Sequence, residues 1–179
     1  YSTDIDITDN LFPDAKKHIY KMYSVINDVQ SRDFSGVDAT KTAEMLTKIT
    51  SEFETSMNDN FNTSGVMASL FTWFNFISAE LAKKTTEYDL KQIANKITEL
   101  MSVLNILQQD VATYIQSAKQ EMLRKNNISE SEIMAAISAR ADAKANKDWA
   151  NADSIRNELS AKNILLKDSP SGTTWDIML

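Results

Sequence analysis

Apolar residues recur along most of this chain at spacings of three and four, which predicts helices, and the pattern changes to alternation only near the C-terminus. After Pro13, the residues Ala15, Ile19, Met22, Ile26 and Val29 fall on one face of a first helix, and proline suits its first turn. The breaker region Asp33-Phe34-Ser35-Gly36 ends that pattern. A second amphipathic stretch carries Leu46, Ile49, Phe53 and Met57 and stops near Asn58-Asp59-Asn60. Thr63 or Ser64 is placed to cap a third helix, because a hydroxyl oxygen accepts from unpaired amides of the first turn. Its body, VMASLFTWFNFISAELAKK, is apolar on more than one side and is expected to be the central, most buried helix of a bundle. A fourth stretch sustains Leu90, Ile93, Ile97, Leu100, Leu104, Leu107 and Val111 in one heptad-like series. Stripes of this kind read as bundle core rather than as a ligand box.

After residue 120 the pattern thins. The charged segment Lys119 to Asn127 has few apolar residues, and residues 121–128 are read as a linker between a bundle over 1–120 and a small module over 129–179. Ser129 and Glu132 form a capping box for a helix to about Ala145. A further helix begins around Asp148, carries Trp149, Ala152, Ile155, Arg156 and Leu159, and ends at Asn163, which tolerates a left-handed backbone. Ile164 to Lys167 and Thr173 to Ile177 are strand-like. They flank the turn-rich connector Asp168-Ser169-Pro170-Ser171-Gly172, which suggests a hairpin. Trp175 alternates with Thr174 and Asp176 and is assigned to packing that hairpin on the helices.

Composition removes several chemistries. With no cysteine and one histidine, there is no disulfide, thiolate nucleophile, iron–sulfur cluster or multi-histidine metal site. Three glycines among 179 residues leave little material for phosphate-cradling loops, while 42% hydrophobic residues suffice for a core. No apolar run approaches a membrane span, and the opening YSTDIDITDN lacks the features of a signal peptide, so a soluble, cytoplasmic protein is expected. His18 lies among Lys16, Lys17 and Lys21 without an acidic or nucleophilic partner and receives no role. The net charge of −6 argues against general nucleic-acid binding, but residues 1–120 carry 11 basic and 16 acidic side chains whereas residues 121–179 carry 8 and 9. Most of the acidity belongs to the bundle.

The tail ARADAKANKDWANADSIRNELSAKNILLKDSPSGTTWDI resembles the C-terminal anticodon-recognition module of cysteinyl-tRNA synthetases. That family's pattern runs through K-D-W/F, A-D-x-I-R and a closing D-x-x-x-G-T-x-W, matched here by Lys147-Asp148-Trp149, Ala152-Asp153, Ile155-Arg156, Asp168 and Gly172-Thr173-Thr174-Trp175. Upstream, FETSMNDNFNTSGVMASLF is similar to the family's F-x-x-A-M-D-D-D-F-N-T-P segment. SVLNILQQDVATYIQSAK resembles the end of its helical bundle, and Tyr1 through Tyr23 the segment after its second catalytic signature. Asn58, Ser64, Asn105 and Lys144 stand where the family commonly has an acidic residue, proline, glycine and arginine. The resemblance implies a mainly α fold, an antiparallel DALR-like helical bundle followed by a two-helix and β-hairpin module. It also implies tRNA for cysteine, anticodon GCA, and the catalytic domain of the same synthetase as partners, with neither membrane nor DNA.

The H-I-G-H and K-M-S-K-S signatures and the cysteine-containing zinc site of that family have no counterpart in the sequence, so this chain alone is expected to activate no amino acid. ATP and zinc are expected only for the catalytic domain, and no cofactor for this chain. The expected anticodon-binding residues are Trp149, Asp153, Asp168, Arg140, Lys144, Lys147 and Arg156. Trp149, at a helix start, either stacks on an unpaired base or pins the helix pair together. Asp153 and Asp168 accept from base-edge donors in the functional reading. Otherwise Asp153 is a solvated helix residue and Asp168 caps the connector. Arg140, Lys144, Lys147 and Arg156 supply phosphate contacts and base-edge donors, or else solubility, and lysine at 144 cannot make the bidentate contact of an arginine. A helical scaffold or protein-interaction domain that has lost RNA binding is the alternative. Relatives that ligate cysteine to amino-sugars are disfavoured, since they need no anticodon module.

Overall fold

The computed structural model describes Asp9, residues 11–169 and residues 172–178; residues 1–8, Asn10, the Pro170-Ser171 pair of the connector and Leu179 lie outside the described residues. Among those residues the chain forms seven helices and one two-stranded antiparallel sheet, and divides into two compact units, one ending at Tyr114 and one beginning at Ile115.

The first unit holds α1 (Leu11–Gln30), α2 (Ala39–Asn58), α3 (Thr63–Leu81) and α4 (Leu90–Ser102). Met22 and Val29 of α1, Ile49 of α2, Val66 and Ile77 of α3 and Leu90 and Ile93 of α4 make its buried centre. The long apolar body of α3 touches the other three helices, as its sequence predicts, but α4 does so equally. The buried carboxylate of Glu80 at the end of α3 is held by Lys83 and by Thr86 Oγ1 (2.9 Å), which fixes the loop into α4. Thr42, also buried, accepts from the Asp89 amide (3.0 Å), so the start of α4 is tied to α2.

In the first unit, two details differ from the sequence reading. Asn62, rather than Thr63 or Ser64, caps α3, its Oδ1 accepting from the Gly65 amide at 2.9 Å. A Cβ on Gly65 would meet Asn62 and Ser56 at 3.2 Å, so the cap and the α2 end seat directly on this glycine. The heptad-like series also does not form one helix. α4 ends at Ser102, where Asn105 takes a left-handed φ of 57° and the Ile106 amide bonds back to Met101 O (3.0 Å). That is a Schellman stop, in which asparagine stands in for glycine. Leu107, in the connector, is still buried, so its hydrophobic position continued the stripe although its backbone (φ 59°) left the helix.

α5 (Val111–Lys125) starts in the first unit, where Tyr114 stacks on Tyr23 with ring centres 4.0 Å apart, and Tyr23 Oη accepts from the Gln109 amide (3.0 Å). Residues 121–125, read from composition as the opening of a linker, are the last turns of this helix. Their exposed charged side chains describe a solvated helix face, and Ala118, Met122 and Ile128 are buried. A second Schellman stop, with Asn127 at φ 49° and the Ile128 amide on Leu123 O (3.1 Å), ends it.

The second unit continues with α6 (Glu130–Ala145), α7 (Trp149–Ala161), β1 (Ile164–Ser169) and β2 (Gly172–Ile177). The Ser129 and Glu132 capping box is present with both of its bonds. The strands pair from Ile164 opposite Ile177 through Leu166 opposite Trp175 to Asp168 opposite Thr173. The first two pairs put one apolar face against the helices, where Ile133, Ala152 and Leu159 are buried. Trp175 packs as expected, with Lys119 Nζ of α5 4.4 Å over its ring and donating to its carbonyl (3.0 Å). The turn is tighter than the five-residue connector read from sequence: Asp168 and Ser169 are strand residues, and Ser169 Oγ closes the end by donating to Gly172 O (2.8 Å).

Candidate nucleic-acid interface

Because side chains four apart share a helix face, Arg140 and Lys144 of α6 point the same way, and both reach Asp168 near the distal end of β1. Arg140 donates Nη1 to Oδ1 (2.9 Å) and Nη2 to Oδ2 (3.0 Å), a planar fork on the carboxylate. Lys144 Nζ adds one bond to Oδ2 (3.1 Å). The fourth donor, Thr173 Oγ1 on Oδ1 (2.7 Å), comes from the cross-strand partner of Asp168. Donation from Arg140 first, then from Thr173 and Lys144, holds the Asp168 carboxyl well below the usual carboxylate range. The Arg140 guanidinium is raised in turn, chiefly by its bond to Asp168, with a further contribution from the charge of Asp153.

This geometry corrects two expectations. Arg140 is only 4% exposed, and its Nε has no acceptor among the described residues, so it is not a phosphate contact at the surface. It is the buried support of a carboxylate. Among the described residues, the Asp168 side chain, 45% exposed, bonds Arg140, Lys144 and Thr173 rather than capping the connector. Thr173 was missed as a candidate. A hairpin register with a two-residue turn would have found it, since that register sets it opposite Asp168.

The remaining candidates lie on α7 and the turn before it. Trp149, the first residue of the helix, is 60% exposed, so it does not pin the helix pair. Trp149, Asp153 and Arg156 follow one another at spacings of four and three and form one exposed stripe. Among the described residues, Asp153 accepts no hydrogen bond and forms no ion pair, although its charge is felt by Arg140. Asp148 caps α7 by accepting from the Asn151 amide (3.1 Å). Lys147 precedes it at φ 61°, the left-handed residue of a third Schellman stop, with the Asp148 amide on Ala143 O (2.9 Å). The structure therefore brings Arg140, Lys144 and Asp168 into one network and leaves Trp149, Asp153 and Arg156 as an open aromatic and charged stripe.

A helical unit followed by a small helix-and-hairpin unit agrees with the family match for this chain: residues 52–108, from the end of α2 through the connector after α4, match the DALR domain. Over its whole length the chain is 31% identical to the cysteine–tRNA ligases of Desulfotalea psychrophila and Thermodesulfovibrio yellowstonii, with 99% and 100% of the chain aligned. It is 41% identical over 125 residues to that of Actinobacillus pleuropneumoniae serotype 5b. The chain belongs to the cysteine–tRNA ligase family and corresponds to the C-terminal region of those proteins. It spans 38% of the length of the first two relatives. No described helix is long and apolar enough to cross a membrane.

Proposed function

We propose that this chain reads the GCA anticodon of tRNA for cysteine, as the tRNA-binding part of a cysteine–tRNA ligase. The observation that carries this reading is the exposed stripe of Trp149, Asp153 and Arg156 beside the Asp168 network. An indole on a helix end offers a stacking face to a base splayed from a loop, and carboxylates offer acceptors to base-edge amines. Arg156 and Lys147 are the exposed cations for neighbouring phosphates. Activation of cysteine with ATP, and the zinc associated with it, fall to a catalytic domain, and this chain alone ligates nothing. A cytoplasmic setting follows from that role.

The scaffold alternative leaves unexplained why Lys147-Asp148-Trp149, Ala152-Asp153 and Asp168 keep the pattern of the family's anticodon module. The test is binding of RNA hairpins bearing GCA or single-base changes of it to the 179-residue chain. GCA is expected to bind tightest, and equal affinity for all triplets would remove the proposal.

A further inference from the structure

Resting on the anticodon-reading role just proposed, we propose that Lys119 is a positioning residue of that site. It touches no RNA; it fastens the outer edge of β2 to α5, so that Thr173, two residues along the strand, meets Asp168 at a fixed position.

A two-stranded sheet has little stability of its own, and each strand leaves alternate backbone groups turned away from its partner. The Met178 amide bonds to Asn163 O (2.9 Å), so these two residues form a hydrogen-bonded pair of the ladder. Counted from there through the register, Trp175 opposite Leu166 and Thr173 opposite Asp168 fall at the alternate pairs, and their N–H and C=O groups lie along the outer edge of β2. Lys119 takes that edge. Its Nζ donates to Trp175 O (3.0 Å), sits 4.4 Å over the Trp175 ring and lies 3.9 Å from Asp176 Oδ1. Asp176 is held from within the sheet by Lys167, which donates to Oδ2 (2.7 Å). A carbonyl, an aromatic face and a carboxylate thus converge on one ammonium whose side chain is 26% exposed.

Trp175 and Thr173 share a face of β2 and lie about 7 Å apart along it. The bond from Thr173 Oγ1 to Asp168 Oδ1 is 2.7 Å long, and a displacement of about 1 Å breaks a bond of this kind. Without Lys119, the outer edge of β2 is untied from α5 and the carboxylate loses a fixed donor. A phosphate contact is the other use for a lysine in an RNA-binding unit. It would require the Lys119 ammonium to leave all three partners, whereas Lys147 and Arg156 are already exposed.

The experiment measures binding of RNA hairpins bearing GCA or single-base changes of it to the 179-residue chain over a range of salt. Lys119→Met is expected to reduce the preference for GCA about fivefold, the weight of one hydrogen bond, with altered triplets bound as by wild type and the salt slope unchanged. Lys119→Arg, whose guanidinium also stacks on an indole and donates to a carbonyl, is expected to keep the wild-type preference. In a Thr173→Val background, Lys119→Met is expected to lower the preference by less than about twofold, because the link it supports is already gone. One measurement needs no variant. Ring current from Trp175 should hold the Lys119 ε-methylene proton signals upfield, and they should stay there in the saturated GCA complex. A shallower salt slope with all hairpins weakened alike, a Lys119→Arg variant as poor as Lys119→Met, the same fivefold loss in the Thr173→Val background, or return of the ε-methylene signals to ordinary positions on binding overturns the inference while a preference for GCA stands. If wild type shows no preference for GCA over altered triplets, it is the anticodon-reading role itself that fails.

Discussion

Removing either end of the Arg140 and Asp168 pair should not cost the same. Asp168→Ala takes both acceptor oxygens from a guanidinium that is 4% exposed and leaves Lys144 beside it as a like charge. Stranding a buried cation in this way costs about 3–5 kcal/mol. Arg140→Met leaves a carboxylate that is 45% exposed, still bonded by Lys144 and Thr173 and open to water, with methionine filling much of the vacated volume. Discounted for that solvation, the loss is about 1–2 kcal/mol. The assay is hydrogen exchange of the α6 and β1 amides, whose opening free energies report on the second unit alone. The pH dependence adds a check. Because the folded-state pKa of Asp168 is depressed, its stabilisation is complete above the ordinary aspartate value near about 3.9 and is lost as pH falls through its own lower value. Wild type should therefore lose more α6 protection on acidification than Asp168→Ala does. Equal costs for the two substitutions, or a larger cost for Arg140→Met, would refute the assignment of Arg140 as the buried partner.

Three further outcomes follow from the same structure. Trp149→Ala should change stability by less than about 0.5 kcal/mol by urea denaturation, because the ring is mostly exposed, yet weaken a GCA hairpin by about 1–3 kcal/mol in a binding titration. Lys147→Gly should stabilise the second unit by about 1 kcal/mol, since φ 61° strains a residue with a Cβ, while lowering the salt slope of RNA binding by about 0.7 if Lys147 meets one phosphate. Asn105→Ala should destabilise the first unit by about 1 kcal/mol in thermal unfolding, and Asn105→Gly should not.

The helices were legible in this sequence because their ends are marked by side chains that act locally. The capping box at Ser129, the cap at Asp148 and the left-handed Asn163 are fixed by residues within a turn of the boundary they set. Boundaries failed where periodicity and backbone part company. Leu107 keeps its apolar place in the stripe while occupying a turn, and the polar tail of α5 has the composition of a linker because most of it faces solvent. Of the candidate residues, Trp149, Asp153 and Arg156 were chosen through the family resemblance, and they lie on one helix at spacings that set them on a shared face. The Asp168 network was not legible, because its arginine, lysine and threonine come from two other elements, and sequence distinguishes a buried arginine from an exposed one only once its distant carboxylate is placed.

The central claim is that RNA is read on the α7 stripe beside Asp168. The chain has three tryptophans, Trp73 buried in the first unit, Trp175 under Lys119, and Trp149 exposed, so their indole N–H signals distinguish the surfaces in one spectrum. On titration with a GCA hairpin, the Trp149 signal should shift and saturate with the binding curve while that of Trp73 stays in place. A saturated complex in which Trp149 is unmoved would contradict the account.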